Sequence, residues 1–300
     1  MVDYPRGDLR DQSCATIHDQ GIQGVQWMKE YRALRQEIDV TETDFLTKFD
    51  LIYKCVYGKH TRFEWTCKVS DVAIDVNRFL VCGIRIDEEV RSELTSILQI
   101  ARTPMDAPVR RLWDELLSHH CDYAHVAYAG TSGLSNQGEV LKLYLVPRLY
   151  DDLLHQSIAR VSSKDSFGPC PPGAPVANIG FVVERAKAIS MRLYLAYEID
   201  QYDDKTVREY LTSILGKRGY ERIKEYPATV IGFKPDGVDM TYVFMNNHDN
   251  HLGIVASNLV RRTGNIPVQK RLDRITYVGL PPTELVNDHP SVLNLYLKLD

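Results

Sequence analysis

The sequence lacks several things that would narrow it quickly. Its six cysteines (Cys14, Cys55, Cys67, Cys82, Cys121 and Cys170) are scattered, with no CxxC pair. That argues against a disulfide framework and reads as reduced thiols. There is no lysine- or arginine-rich run, and the net charge is −4, so the footprint expected for a nucleic-acid or membrane-surface partner is missing. No apolar stretch approaches the roughly 20 residues that a bilayer span needs. The opening "MVDYPRGDLRDQ" has no apolar core like that of a signal peptide. These absences lead to the expectation of a cytoplasmic protein. At 44% apolar and 25% charged over 300 residues, the chain can bury a full core.

What the sequence does have is repetition. "LKLYLV" at 141–146, "MRLYLAY" at 191–197 and "LNLYLKL" at 293–299 share one pattern of alternating aliphatics with a polar or cationic residue two places before a tyrosine. A similar step also reaches "VNRFLVCGIRI" at 76–86 and "VDMTYVFMN" at 238–246. Each of these five strands follows a partner: "RFEWTCKV" (62–69), "YAHVAYAG" (123–130), "NIGFVVERA" (178–186), "ATVIGFKP" (228–235) and "DRITYVGL" (273–280). Turn residues separate the members of each pair, which predicts five β-hairpins.

Helical periods lie between the hairpins, at 43–57, 87–101, 107–120, 202–220 and 250–262. Val90, Leu94, Ile97 and Leu98 share one face, as do Val109, Leu112, Trp113 and Leu116. The proline- and glycine-rich stretch 162–175 reads as a surface loop, because the repeat stays in phase across it. The predicted organisation is one domain over 1–300, with approximate repeats 20–86, 87–148, 149–199, 200–247 and 248–300.

Ten strands in meander order make a sheet wide enough to curl or close. With an amphipathic helix beside each hairpin, the apolar strand faces pack outward on helices and the polar faces line a hollow interior. The fold class is α+β, a ten-stranded antiparallel barrel of five ααββ repeats within a ring of helices. In that register Arg78, Lys142, Arg192 and Lys298 face inward as an anion grip, with phosphate or diphosphate the matching ligand. Tyr144, Tyr194 and Tyr296 offer π-faces to a cation. Glu64, Thr66 and Lys68 alternate on the first strand, and Glu198 lies further along the third unit.

These features resemble the aromatic prenyltransferase family, the ABBA or PT barrel, and within it the cyanobactin-type peptide prenyltransferases. The resemblance rests on "FEWTCKV…VNRFLV", "VLKLYLVPRLYDD" and "ITYVGLP…HPSVLNLYLKLD". It implies transfer of a dimethylallyl or geranyl group from its diphosphate to a Tyr, Trp or Arg side chain of a peptide acceptor. Glu64 would be the general base, Arg78 and Lys142 would grip the diphosphate, and Mg2+ would accompany it. Arg192 and Lys298 join them through the internal repeat. The tyrosines would shield the allyl cation, and no organic cofactor is expected. The alternatives are a small-molecule aromatic acceptor or a silent binding barrel. The chain ends at Asp300, just after its last strand, which suggests an uncapped mouth suited to a peptide.

Two positions depart from the repeat. Val243 stands where a tyrosine is expected, leaving Tyr242 outward or in a shifted register, and Asn294 replaces a cation. If Glu198 and Glu64 both face inward, a cationic acceptor such as arginine gains support. Other clusters have simpler readings. His119, His120, Cys121 and His125 lack metal-ligand spacing. "DQYDD" at 200–204 caps a helix. "GTSGLS" at 130–135 is a turn without a P-loop lysine.

Overall fold

The computed structural model describes residues 52, 56, 59, 62–100, 105–130, 139–149, 154, 156–158, 176–184, 189–234, 237–245 and 250–298. Its ten strands are β1 (Arg62–Ser70), β2 (Ile74–Arg85), β3 (Cys121–Ala129), β4 (Val140–Pro147), β5 (Val176–Glu184), β6 (Ser190–Glu198), β7 (Ala228–Lys234), β8 (Gly237–Phe244), β9 (Ile275–Leu280) and β10 (Val292–Lys298). Each pairs antiparallel with its sequence neighbours, and β10 returns to pair with β1, closing the barrel. The five expected hairpins are all present. Closure leaves no edge strand exposed for aggregation.

The outward strand faces form the core. Trp65, Phe79, Val81, Leu143, Leu145, Phe181, Leu195 and Leu295 are buried against the helical layer. Trp113 meets Phe181 edge-to-face with centroids 4.9 Å apart, a geometry that adds to the large apolar area an aromatic pair buries. On β4 the burial alternation is inverted: Leu141, Leu143 and Leu145 are buried, whereas the inward Lys142 and Tyr144 are only half-buried. Solvent therefore reaches these two positions of the lumen.

The helices start where local chemistry allows. Helix α1 (Glu88–Ile100) opens with Asp87 accepting from the Val90 N–H at 2.8 Å, and it buries Val90, Leu94, Ile97 and Leu98. Helix α2 (Ala107–Glu115) starts with a proline in its first turn and buries Val109, Leu112 and Trp113. Instead of ending regularly, it widens into a π turn at Leu116–His120, and the adjacent Leu116 and Leu117 are both buried there. Helix α3 (Lys205–Ile223) is capped by Asp204, as expected, but runs past the predicted end. Gly216, at φ 71°, breaks it into two pieces. Helix α4 (His251–Thr263) runs from an Asn250 cap to left-handed Gly264, and two short helices follow, α5 (Ile266–Gln269) and α6 (Pro282–Leu285).

From the helix predicted at 43–57, only Ile52 and Val56 are described; both are helical and buried. The loop at 162–175 and the start of the first repeat lie outside the described residues. Among the described residues no helix is long and apolar enough to cross a membrane.

Candidate active site

A belt of four tyrosines crosses the lumen. Ring centroids are 5.3 Å apart for Tyr144 and Tyr194, 6.2 Å for Tyr194 and Tyr242, and 5.8 Å for Tyr242 and Tyr296. Of the two placements left open for Tyr242, the shifted register is the one observed. A bulge on β8 sets Asp239 outside the ladder, so Met240 opposes Gly232 and Tyr242 opposes Val230, both inward. Val243 faces out and is fully buried.

The belt closes because the strands between the tyrosines present glycine. Tyr144 opposes Gly180 on β5, Tyr194 opposes Gly232 on β7, and Tyr242 opposes Gly279 on β9. A Cβ at Gly232 would lie 2.8 Å from Tyr194, and one at Gly180 2.9 Å from the same ring. Only glycine lets the rings lie down against the neighbouring backbone. Burial raises the Tyr144, Tyr194 and Tyr242 hydroxyls well above the ordinary phenol range, so the belt stays neutral.

Toward the hairpin-turn end of the barrel the lumen is cationic. Burial pushes the Lys142 ammonium down to about 8, helped by Arg78 and Arg192 and opposed by Asp239 and Glu184. Lys68 is lowered by burial and by Arg78, against Asp75. Arg78 Nη1 donates to Asn294 Oδ1 at 2.9 Å, and Arg192 Nε lies 3.3 Å from Asp239 Oδ2. Arg78 is therefore close enough to repel both Lys68 and Lys142, and Arg192 to repel Lys142. An anion entering among them would relieve that repulsion.

Beyond the belt, Glu64 is fully buried. Its Oε1 lies 3.0 Å from Arg62 Nε and 3.1 Å from Thr276 Oγ1. Thr276 sits in a bulge between β9 and β10 that turns its side chain to Glu64. Oε2 has no hydrogen-bond partner among the described residues. Burial raises the Glu64 carboxyl, with Arg62 and Thr276 pulling the other way. Tyr296 feels both Arg78 and Glu64, which places a belt tyrosine between cations and carboxylate. His125 Nδ1 accepts from the Gly83 N–H at 2.9 Å, and burial lowers the imidazole to about 4; it is therefore neutral, with its proton on Nε2.

Of the residues expected from the sequence, Arg78, Lys142 and Arg192 come together, Tyr144, Tyr194 and Tyr296 join one belt, and Glu64 lies past that belt. Lys298 stands apart. It is exposed and pairs with Glu64, four residues along β10 from Asn294, or about 13 Å at a strand's rise. Glu198 is turned to capping: its side chain accepts from the Gln201 N–H, and Gln201 caps in return. The His119–His125 run disperses, with Cys121 in the outer core and His125 in the lumen. Lys68 was visible in the alternation of β1. Arg62, Thr276 and the three glycines were missed, and of these only the glycines carried a signal, in the recurring "IGF" of 179–181 and 231–233.

No family model matches the sequence, and no curated protein does. Solved structures share its fold. The 5-dimethylallyltryptophan synthase from Streptomyces coelicolor is similar at TM-score 0.53 and 10% identity, over 92% of this chain and 97% of that one. A 6-dimethylallyl tryptophan synthase is similar at 0.53 and 12%, over 95% and 97%. The 6-dimethylallyltryptophan synthase from Micromonospora olivasterospora, in complex with DMASPP and Trp, is similar at 0.50 and 12%, over 90% and 95%. At such identities the likeness establishes the fold, which is that of the PT-barrel prenyltransferases.

Proposed function

We propose that the chain transfers an allylic prenyl group from its diphosphate to an electron-rich acceptor inside the barrel. One observation carries this reading: a neutral tyrosine belt lies between a cluster of four cations and a buried carboxylate with one oxygen unpaired among the described residues. Lys68, Arg78, Lys142 and Arg192 would hold the diphosphate and stabilise its growing charge as the carbon–oxygen bond breaks. Tyr144, Tyr194, Tyr242 and Tyr296 would turn π-faces to the allyl cation and keep water from it. The acceptor would attack that cation, and its proton would pass to Glu64 Oε2.

Mg2+ is expected as a companion of the diphosphate. Among the described residues no three His, Cys, Asp or Glu side chains gather to hold a metal, and Asp239 is engaged by Arg192. For the acceptor, a side chain of a cyanobactin-like peptide is our reading, supported by the resemblance of the first, second and last hairpins. A free aromatic amino acid is the second reading, favoured by the bound Trp named for the Micromonospora olivasterospora structure.

Purified protein incubated with dimethylallyl or geranyl diphosphate and single-nucleophile acceptors should yield a product heavier by C5H8 or C10H16. The acceptors are linear and cyclic peptides carrying Tyr, Trp or Arg, and free tryptophan. Mass spectrometry reads both the acceptor and the chain length. Absence of product and of released diphosphate with every acceptor would sink the proposal.

A further inference from the structure

A buried carboxylate in a lumen is an obvious seat for a cationic acceptor, yet Glu64 already has a cation of its own. Arg62 leaves the same face of β1 two residues earlier and sets its Nε 3.0 Å from Oε1. Thr276 Oγ1 occupies the other approach to that oxygen at 3.1 Å. Oε2, buried and without a partner among the described residues, is what remains to meet a substrate. The cross-strand partner of Glu64 on β10 is the exposed Lys298. Glu198, the carboxylate that the sequence offered as a second partner for a guanidinium, is committed to its cap. The walls at this end are aromatic: Phe244 and Tyr277 meet edge-to-face at 5.3 Å, and Tyr277 pairs with Tyr296 of the belt. His125 adds only a neutral N–H.

From this arrangement we propose that Arg62 is the built-in counter-ion of Glu64, reserving Oε2 for a neutral N–H or O–H acceptor such as an indole or phenol and excluding guanidinium and ammonium side chains. A substrate cation would have to displace or crowd Arg62, and like charges in a low-dielectric lumen repel strongly. A neutral donor instead finds one free oxygen, held still by the two contacts on its twin, beside rings on which to stack. The inference rests on the proposed prenyl transfer for its choice of ligands. Arg62 thus acts as a positioning and specificity residue through Glu64.

The test reads binding before turnover, so that it stands even if the transfer reading fails. With inorganic pyrophosphate present, calorimetry compares N-acetyl-tryptophanamide with N-acetyl-argininamide. The wild type should bind the indole at least tenfold more tightly. In Arg62→Gln that ratio should move at least tenfold toward arginine, while Arg62→Lys, which keeps the charge, should hold it near the wild-type value. Equal binding of the two ligands by the wild type, binding of neither, or an unchanged ratio in Arg62→Gln overturns the proposal. A second readout is the pH profile of kcat/KM: losing the Arg62 charge should move its acid limb to higher pH, and a limb that stays in place counts against the pairing. If no acceptor is alkylated but the binding ratios behave as stated, prenyl transfer falls and the acceptor preference survives.

Discussion

Lys142 should make the unliganded protein less stable than it need be, and the size of that effect is calculable. The fall of its ammonium from 10.5 to about 8 corresponds to about 3 kcal/mol against the charged form at neutral pH. An unfolded lysine keeps its proton to about 10.5, so between these values the unfolded chain binds more protons and stability rises with pH. The penalty is full below pH 8 and shrinks above it, to about 1.4 kcal/mol near pH 9.5. Lys142→Met removes the charge in a side chain of similar length. Urea denaturation of wild type and variant, at pH 7 and at pH 9.5 without phosphate, should find the variant more stable at both. The gap should narrow by about 2 kcal/mol at the higher pH. Any gain from burying methionine is the same at both pH values, so only the narrowing reports the ammonium. Adding pyrophosphate should reverse the order, since the anion rewards the charge that the empty lumen penalises. A gap that does not change with pH would refute the argument, because neither burial nor the neighbouring cations would then disfavour the ammonium.

Four further outcomes follow from the site. Glu64→Gln should lose about 10²- to 10⁴-fold in product formation while pyrophosphate affinity stays within twofold, measured by mass spectrometry and calorimetry. The wild-type rate should fall as pH drops through a carboxyl held above its ordinary range by burial, because the base must be ionised. Gly232→Ala should cost about 1–3 kcal/mol in a denaturation curve or push Tyr194 out of the belt. In the second case the signature is a higher share of donor hydrolysed rather than transferred. Arg78→Ala should weaken pyrophosphate binding at least tenfold, whereas Lys298→Ala should change it less than twofold, since Lys298 lies away from the cluster; equal losses would mean the anion sits lower in the barrel.

The barrel was legible because two periods coexist in the chain. Alternation with a period of two marked all ten strands, and a spacing near 50 residues showed that they belong to one closed sheet. Which residues face inward was legible only while the alternation ran unbroken. On β4 and β6 it does, and Lys142, Tyr144, Arg192 and Tyr194 stand where the pattern put them. On β8 and β9 an extra residue interrupts the ladder, and nothing in "VDMTYVF" or "DRITYV" announces it. A bulge moves every later side chain relative to the strand beside it, so counting from a repeat fails there.

The interrupted places are where the lumen departs from a simple repeat. The bulge at Asp239 sets a carboxylate beside Arg192 and still brings Tyr242 into the belt. The one at Thr276 turns a hydroxyl toward Glu64, and Gly83, at another irregular point, anchors His125. Regular alternation supplies a generic interior with cations at one end and tyrosines in the middle. The bulges supply the single-copy contacts that make one end unlike the other. On the proposed reading a donor and an acceptor would occupy different places, and a five-fold repeated barrel needs such exceptions to tell them apart. The same reasoning explains why the glycines matter as much as the tyrosines. Without Gly180, Gly232 and Gly279 the rings could not lie against the wall, and the cation end would no longer be separated from the carboxylate.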